Sequence, residues 1–170
     1  MGSERALDGQ AALVTGGGGG IGGASAEWLA RDGAAVMIMG RTEATLVESK
    51  KRIEKAAGAG ARIEYFVGDA VDESAVEAAC AATAALADRL AIAVSVVGGG
   101  TMKPLLMFTG DELADDLRKN IVSAFLIIKY GIKLRVQANL RAPIRRPFRK
   151  ARGSSGLRIL RLWRGASCDS

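Results

Sequence analysis

Five consecutive glycines, Gly16–Gly20, constrain this chain more than any other feature because of what flanks them. Ahead of them Ala11–Val14 is an apolar run of strand length, and behind them about Ile21 to Arg31 carries a helical pattern. A flexible linker has neither flank. Between a strand and a helix, glycines allow a tight turn, close approach of the backbone to a pyrophosphate, and close helix–strand packing. The N–H groups and dipole at the helix start then hold negative charge. The run satisfies two spacings at once: Gly17, Gly19 and Gly22 fit G-x-G-x-x-G, and Gly16, Gly20 and Gly22 fit G-x-x-x-G-x-G. A dinucleotide at the start of that helix is therefore expected.

The pattern repeats downstream. Ala35–Met39, Ile63–Val67 and Ile92–Val97 read as further strands. Between them lie a helix capped by Thr42 and stopped by Gly58 and Gly60, and an alanine-rich helix over Asp72–Leu86. Thr109-Gly110-Asp111-Glu112 has the form of a capping box, opening a helix expected to end near Lys133. Strands alternating with helices imply βαβ units and a parallel sheet. The near-continuous apolar strands imply that helices cover both faces. The expected fold is α/β, a doubly wound, Rossmann-like parallel sheet, incomplete at the C-terminus.

Composition narrows the chemistry. The 170 residues include no histidine, which removes Ser-His-Asp and Cys-His catalysis and the HExxH zinc site. Cys80 and Cys168 are too few for a disulfide framework or a four-cysteine metal site, so no metal is expected and a reducing compartment fits. Met1–Gln10 lacks the features of a signal peptide, and the apolar run at Ile121–Ile128 is far short of the roughly 20 residues of a membrane span. A cytoplasmic protein, off the membrane, is expected. Charge divides the chain: residues 1–134 carry 14 Lys and Arg against 17 Asp and Glu, while residues 135–170 carry 10 against Asp169 alone. These two segments, a dinucleotide-binding part over 1–134 and a basic, Arg-rich tail over 135–170, are the expected organisation.

About 20 residues past the glycines an acid would bind the ribose 2′-hydroxyl of NAD, whereas an Arg suits a 2′-phosphate. The second strand ends Met39-Gly40-Arg41, and its guanidinium fork favours NADP(H) over NAD(H). With these residues in hand, the chain over about Asp8–Leu134 resembles the classical short-chain dehydrogenase/reductases. Thr15–Gly22 has that family's T-G-x-x-x-G-x-G form, and Asp69 follows the third strand where the family places an adenine-contacting Asp. Ser95-Val96-Val97-Gly98 stands where N-N-A-G is usual, and Asn120 stands at the position of the catalytic-tetrad Asn. The resemblance implies cofactor contacts at Thr15, Gly16, Gly18, Gly19, Gly20, Ile21, Gly22, Arg41, Thr42, Asp69, Ala70, Val97, Gly98 and Gly99, with Asn120 catalytic. It implies a small-molecule carbonyl or alcohol substrate.

The family's acid–base Tyr is followed by a Lys four residues on, so that both side chains share one helix face. Here Asp69 follows Tyr65 at that spacing and Leu134 follows Tyr130. Tyr130 is expected to pack and Lys133, three residues on, to be solvated; Ser154 and Ser155 have no following Tyr. The Arg-rich, period-free tail has the character of an out-of-frame reading, so a truncated or altered reductase, inactive or impaired alone, is expected. A catalytically silent nucleotide-binding fragment is an alternative. Salt-sensitive nucleic-acid binding by the tail is a weaker one, because only Phe148 and Trp163 offer stacking there. The long helix 112–133 is a candidate face for pairing two copies.

Overall fold

The computed structural model describes residues 5–87 and 89–141. Four parallel strands form its sheet: β1 (Ala11–Thr15), β2 (Ala35–Gly40), β3 (Ile63–Val67) and β4 (Leu90–Ser95), in the order β3-β2-β1-β4. They alternate with α1 (Gly20–Arg31), α2 (Glu43–Ala57), α3 (Glu73–Ala84), α4 (Gly110–Leu117) and α5 (Ser123–Arg141). The fold is thus the expected Rossmann-like sheet with helices on both faces. The tail features beyond Arg141, including Leu157–Trp163, Ser154, Ser155 and Cys168, lie outside the described residues.

Strand alternation divides the core into two layers, since neighbouring residues on a strand face opposite sides. Ala11, Leu13, Met37 and Met39 pack with Val76, Ala79 and Cys80 of α3 and Leu126, Ile127 and Tyr130 of α5. On the other face Ala12, Val14, Val36 and Ile38 pack with Ala26 and Ala30 of α1 and Leu46 and Ile53 of α2. β1 is buried at every position, while β3 and β4, at the sheet's two ends, are part-exposed.

Strand order also creates the site. The chain winds outward from β1 through β2 to β3, then returns to the far side of β1 for β4. At such a reversal the loops leaving the carboxyl ends of β1 and β4 turn opposite ways and open a crevice, the usual ligand position in sheets of this kind.

Three details differ from the sequence expectations. β4 begins at Leu90 and ends at Ser95, and its register against β1 shifts between Ala11 and Ala12. The last helical run is interrupted by a π-helical segment, Arg118–Val122, that contains Asn120. Its continuation, α5, runs to Arg141 instead of ending near Lys133. The half-buried Leu134 packs on the core, and no Gly or Pro intervenes between Arg135 and Arg141 to stop the helix.

Candidate cofactor site

A cleft of about 480 Å³ lies over the crevice between β1 and β4. Gly16, Gly18 and Gly19 of the glycine loop line it, with Arg41 and Thr42 after β2, Asp69 and Ala70 after β3, and Val97 and Gly98 after β4. Each strand thus contributes the residues just past its carboxyl end.

The glycines have separable jobs. Gly16 has φ of +73°, a conformation disfavoured for residues with a Cβ, and starts the turn. Its N–H and that of Gly17 donate to the Met39 carbonyl at 2.9 and 3.2 Å, tying the loop to β2. A Cβ on Gly17 would lie 2.6 Å from Ile38 Cβ, and one on Gly22 would lie 2.7 Å from the Gly16 carbonyl carbon. At Gly19 and Gly20 an added Cβ would meet nothing within 4 Å. Gly17 and Gly22 are therefore packing glycines, while Gly19 and Gly20 border open space.

The start of α1 is left available for an anion. Its N-cap is Gly19, with no capping side chain, and no acid occupies the first turn. α3 and α4, in contrast, are capped by Asp72 and by the Thr109–Glu112 capping box. The first N–H groups of a helix have no intrahelical partner, so at α1 they can hold a phosphate. A buried tie fixes the loop beneath: Ser49 Oγ of α2 donates to the Gly17 carbonyl at 2.8 Å. Thr42 occupies the N-cap of α2, but its side chain makes no capping bond.

Some expected site residues sit beside the cleft rather than in its lining. Thr15 is buried at the end of β1, Ile21 is largely exposed, and Gly22 is buried under the loop. Gly20 and Gly99 are not in the lining either. Gly99 is held by Asn120, whose amide nitrogen donates to the Gly99 carbonyl at 2.6 Å and whose amide oxygen accepts from the Gly99 N–H at 3.2 Å. The same nitrogen donates to the Asp116 carbonyl at 2.7 Å. Asn120 thus joins the π-helical segment to the loop after β4.

Sequence reasoning missed part of the wall. Thr45 and Leu46 of α2 face the cleft, as do Asp115, Arg118 and Lys119 on the far side. The last three precede Asn120 by five, two and one residues, but the π-helical turn hides which face they share. Asp69 is fixed in place by accepting the Val71 N–H at 3.1 Å.

Neither tyrosine lines the cleft. Tyr130 is buried against α3, donating to Glu73 Oε1 at 2.7 Å, and this bond to a carboxylate holds its phenol above the usual range. Lys133, half exposed, pairs with Glu77 at 2.6 Å. Tyr65 donates to Glu43 at the surface, 3.0 Å away. Among the described residues no group of three or more acids, Cys or His could hold a metal ion, and no helix is long and apolar enough to cross a membrane.

A switch-point cleft, a glycine cradle and an uncapped helix start are the arrangement by which α/β sheets of this kind take up dinucleotides. Residues 10–139 match the family described as short chain dehydrogenase, and the chain belongs to that family. It is 32% identical over 123 residues to the 3-dehydrosphinganine reductase TSC10A of Arabidopsis thaliana, covering 71% of this chain and 35% of that protein. A short-chain type dehydrogenase/reductase from Mycobacterium ulcerans superposes with a TM-score of 0.72 at 28% identity, covering 77% of this chain and 48% of that one. A dehydrogenase/reductase from Sinorhizobium meliloti superposes with a TM-score of 0.70 at 30% identity, covering 77% of this chain and 51% of that one. The chain therefore spans about half the length of these solved relatives. The family comprises oxidoreductases that bind nicotinamide cofactors and act on small molecules.

Proposed function

We propose that this chain binds NADP(H) in the β1–β4 cleft, in preference to NAD(H), and is inert or impaired in carbonyl reduction by itself. The observation that carries the reading is the cradle: an uncapped α1 over a glycine loop, with Arg41 in the same cleft. Gly16, Gly18 and Gly19 would approach the pyrophosphate, Arg41 and Thr42 the adenosine ribose, and Asp69 and Ala70 the adenine. Val97 and Gly98 would flank the path toward the nicotinamide. The bound cofactor supplies or accepts a hydride. A carbonyl taking up that hydride also needs a proton, and both tyrosine hydroxyls are engaged elsewhere, on Glu73 and Glu43. Asn120, with its amide committed to Gly99 and Asp116, acts by holding the cleft wall.

Pairing of two copies along the last helical run is a further part of this reading. Leu117, Ile121, Phe125, Ile128 and Ile132 recur at helical spacing and are all more than half exposed. The unpaired buried thiol of Cys80 suits a cytoplasmic location. Titration with NADPH and NADH, followed by NADPH oxidation with a panel of ketones and quinones, tests the proposal. Binding of NADPH without measurable turnover is expected. Failure to bind either nucleotide overturns the cofactor assignment, and robust turnover overturns the argument from the tyrosines.

A further inference from the structure

Resting on the reading of the cleft as a dinucleotide site, we propose that Lys119 is a second specificity residue, acting with Arg41 on the adenosine 2′-phosphate. A phosphate monoester carries close to two negative charges at neutral pH, more than one guanidinium offsets. The cations lining the cleft are Arg41, Arg118 and Lys119, so the far wall contributes two of them. Arg118 also lines a neighbouring cavity, together with Asp69, Asp72 and Glu73. Lys119 shares the cleft with Arg41, and its bond to Asp115 favours the protonated form, against which burial and the Arg41 charge act more weakly.

The backbone that carries Lys119 is unusually well fixed for a surface turn. Ser123 Oγ, in a fully buried residue, donates to the Lys119 carbonyl at 2.6 Å, and the next residue, Asn120, is bonded to Gly99. A π-helical turn widens the helix by one residue, changing which side chains face the sheet, and such turns recur at functional sites. Here it anchors the Lys119 backbone and leaves the side chain about half exposed. Asp115 is its ion-pair partner one turn earlier and also lines the cleft. Such a surface pair is weak, so a phosphate with more charge than a carboxylate competes for the ammonium. Arg41 supplies a planar fork and Lys119 a compact point charge, and the two approach a phosphate without competing for the same oxygens.

The test uses the full chain and equilibrium binding of NADPH, NADH and adenosine 2′,5′-bisphosphate, with thermal melting as a control for folding. Lys119→Met should weaken NADPH and the bisphosphate about tenfold and leave NADH within about twofold, the loss of one charge-assisted contact. Lys119→Arg should keep most of the preference. Asp115→Asn, which removes a carboxylate from the same wall, should tighten NADPH severalfold without helping NADH. Equal weakening of both nucleotides by Lys119→Met, or no effect on either, overturns the role of Lys119 while the cofactor reading stands. If the unsubstituted chain binds NADH as tightly as NADPH, the 2′-phosphate site is refuted. If it binds neither, the cofactor reading itself falls.

Discussion

Two adjacent glycines in α1 separate a packing requirement from helix propensity. Gly22 and Gly23 are both buried within the helix, where exchange of Gly for Ala ordinarily gains about 0.5–1 kcal/mol. At Gly22 the new methyl would lie 2.7 Å from the Gly16 carbonyl carbon and 3.1 Å from the Gly17 nitrogen. Those are backbone atoms of a loop already tied to Met39 by two hydrogen bonds, so the loop must move. Overpacking of this kind costs about 1–3 kcal/mol, which outweighs the propensity gain. Gly22→Ala should therefore lose about 1–2 kcal/mol net, lowering the melting midpoint by roughly 2–8 °C, and should abolish nucleotide binding. At Gly23 the methyl meets the tip of the Arg52 guanidinium, which can swing away, and Ser49 Oγ at an ordinary 3.4 Å. Gly23→Ala should be neutral or stabilising by up to about 1 kcal/mol. Urea denaturation followed by circular dichroism, with a parallel NADPH titration, measures both. Equal destabilisation by the two substitutions, or unchanged stability and binding in Gly22→Ala, refutes the argument.

Ser49→Ala leaves the Gly17 carbonyl without its buried donor and should cost about 1–2 kcal/mol while weakening nucleotide binding severalfold; unchanged binding would mean the loop holds itself. Burial, aided by the Glu77 charge, pushes the Cys80 thiol up to about 11. In a Cys168→Ser background it should resist a disulfide reagent at pH 8 until the protein unfolds, and rapid labelling of the folded chain would contradict its burial. Because the folded thiol ionises later than the unfolded one, this group's contribution is complete below pH about 9 and is lost as pH rises toward 11. Glu112 is held down to about 2, first by the Lys103 ammonium and then by the Thr109 N–H. Its stabilisation of the start of α4 is present above pH about 4.5 and disappears as pH falls through 2; a carboxyl titration midpoint near 4.5 would show the capping box open.

The strand–helix alternation was legible because β1 and β2 are apolar runs bounded by glycine, with helical periods between them. The Thr109–Glu112 box marked a helix start because capping is local chemistry, fixed within three residues. The glycine loop was legible as a unit but not residue by residue. Gly20, Ile21 and Gly22 stand outside the lining because the chain has already turned into α1 there, a fact of geometry that spacing does not carry. The far wall was not legible at all. Asp115, Arg118 and Lys119 reach the cleft through a π-helical turn, and an insertion of one residue in a helix has no signature in hydrophobic period. Tyr130 read correctly as a packing residue, although its bond to Glu73 joins residues far apart in sequence and could not be foreseen.

The cleft hangs between two strands of unequal security. β1 is paired on both sides, whereas among the described residues β4 is paired on one side only. Backbone amides in such an end strand exchange with solvent through small local openings rather than through global unfolding. Any ligand that requires Val97 and Gly98 in place is therefore coupled to the closing of β4. At a hundred times its dissociation constant it would suppress those openings by about 2.7 kcal/mol, and the slowing would be largest in β4 and smallest in β1. The nucleotide would serve the sheet as a clasp on its least-secured strand.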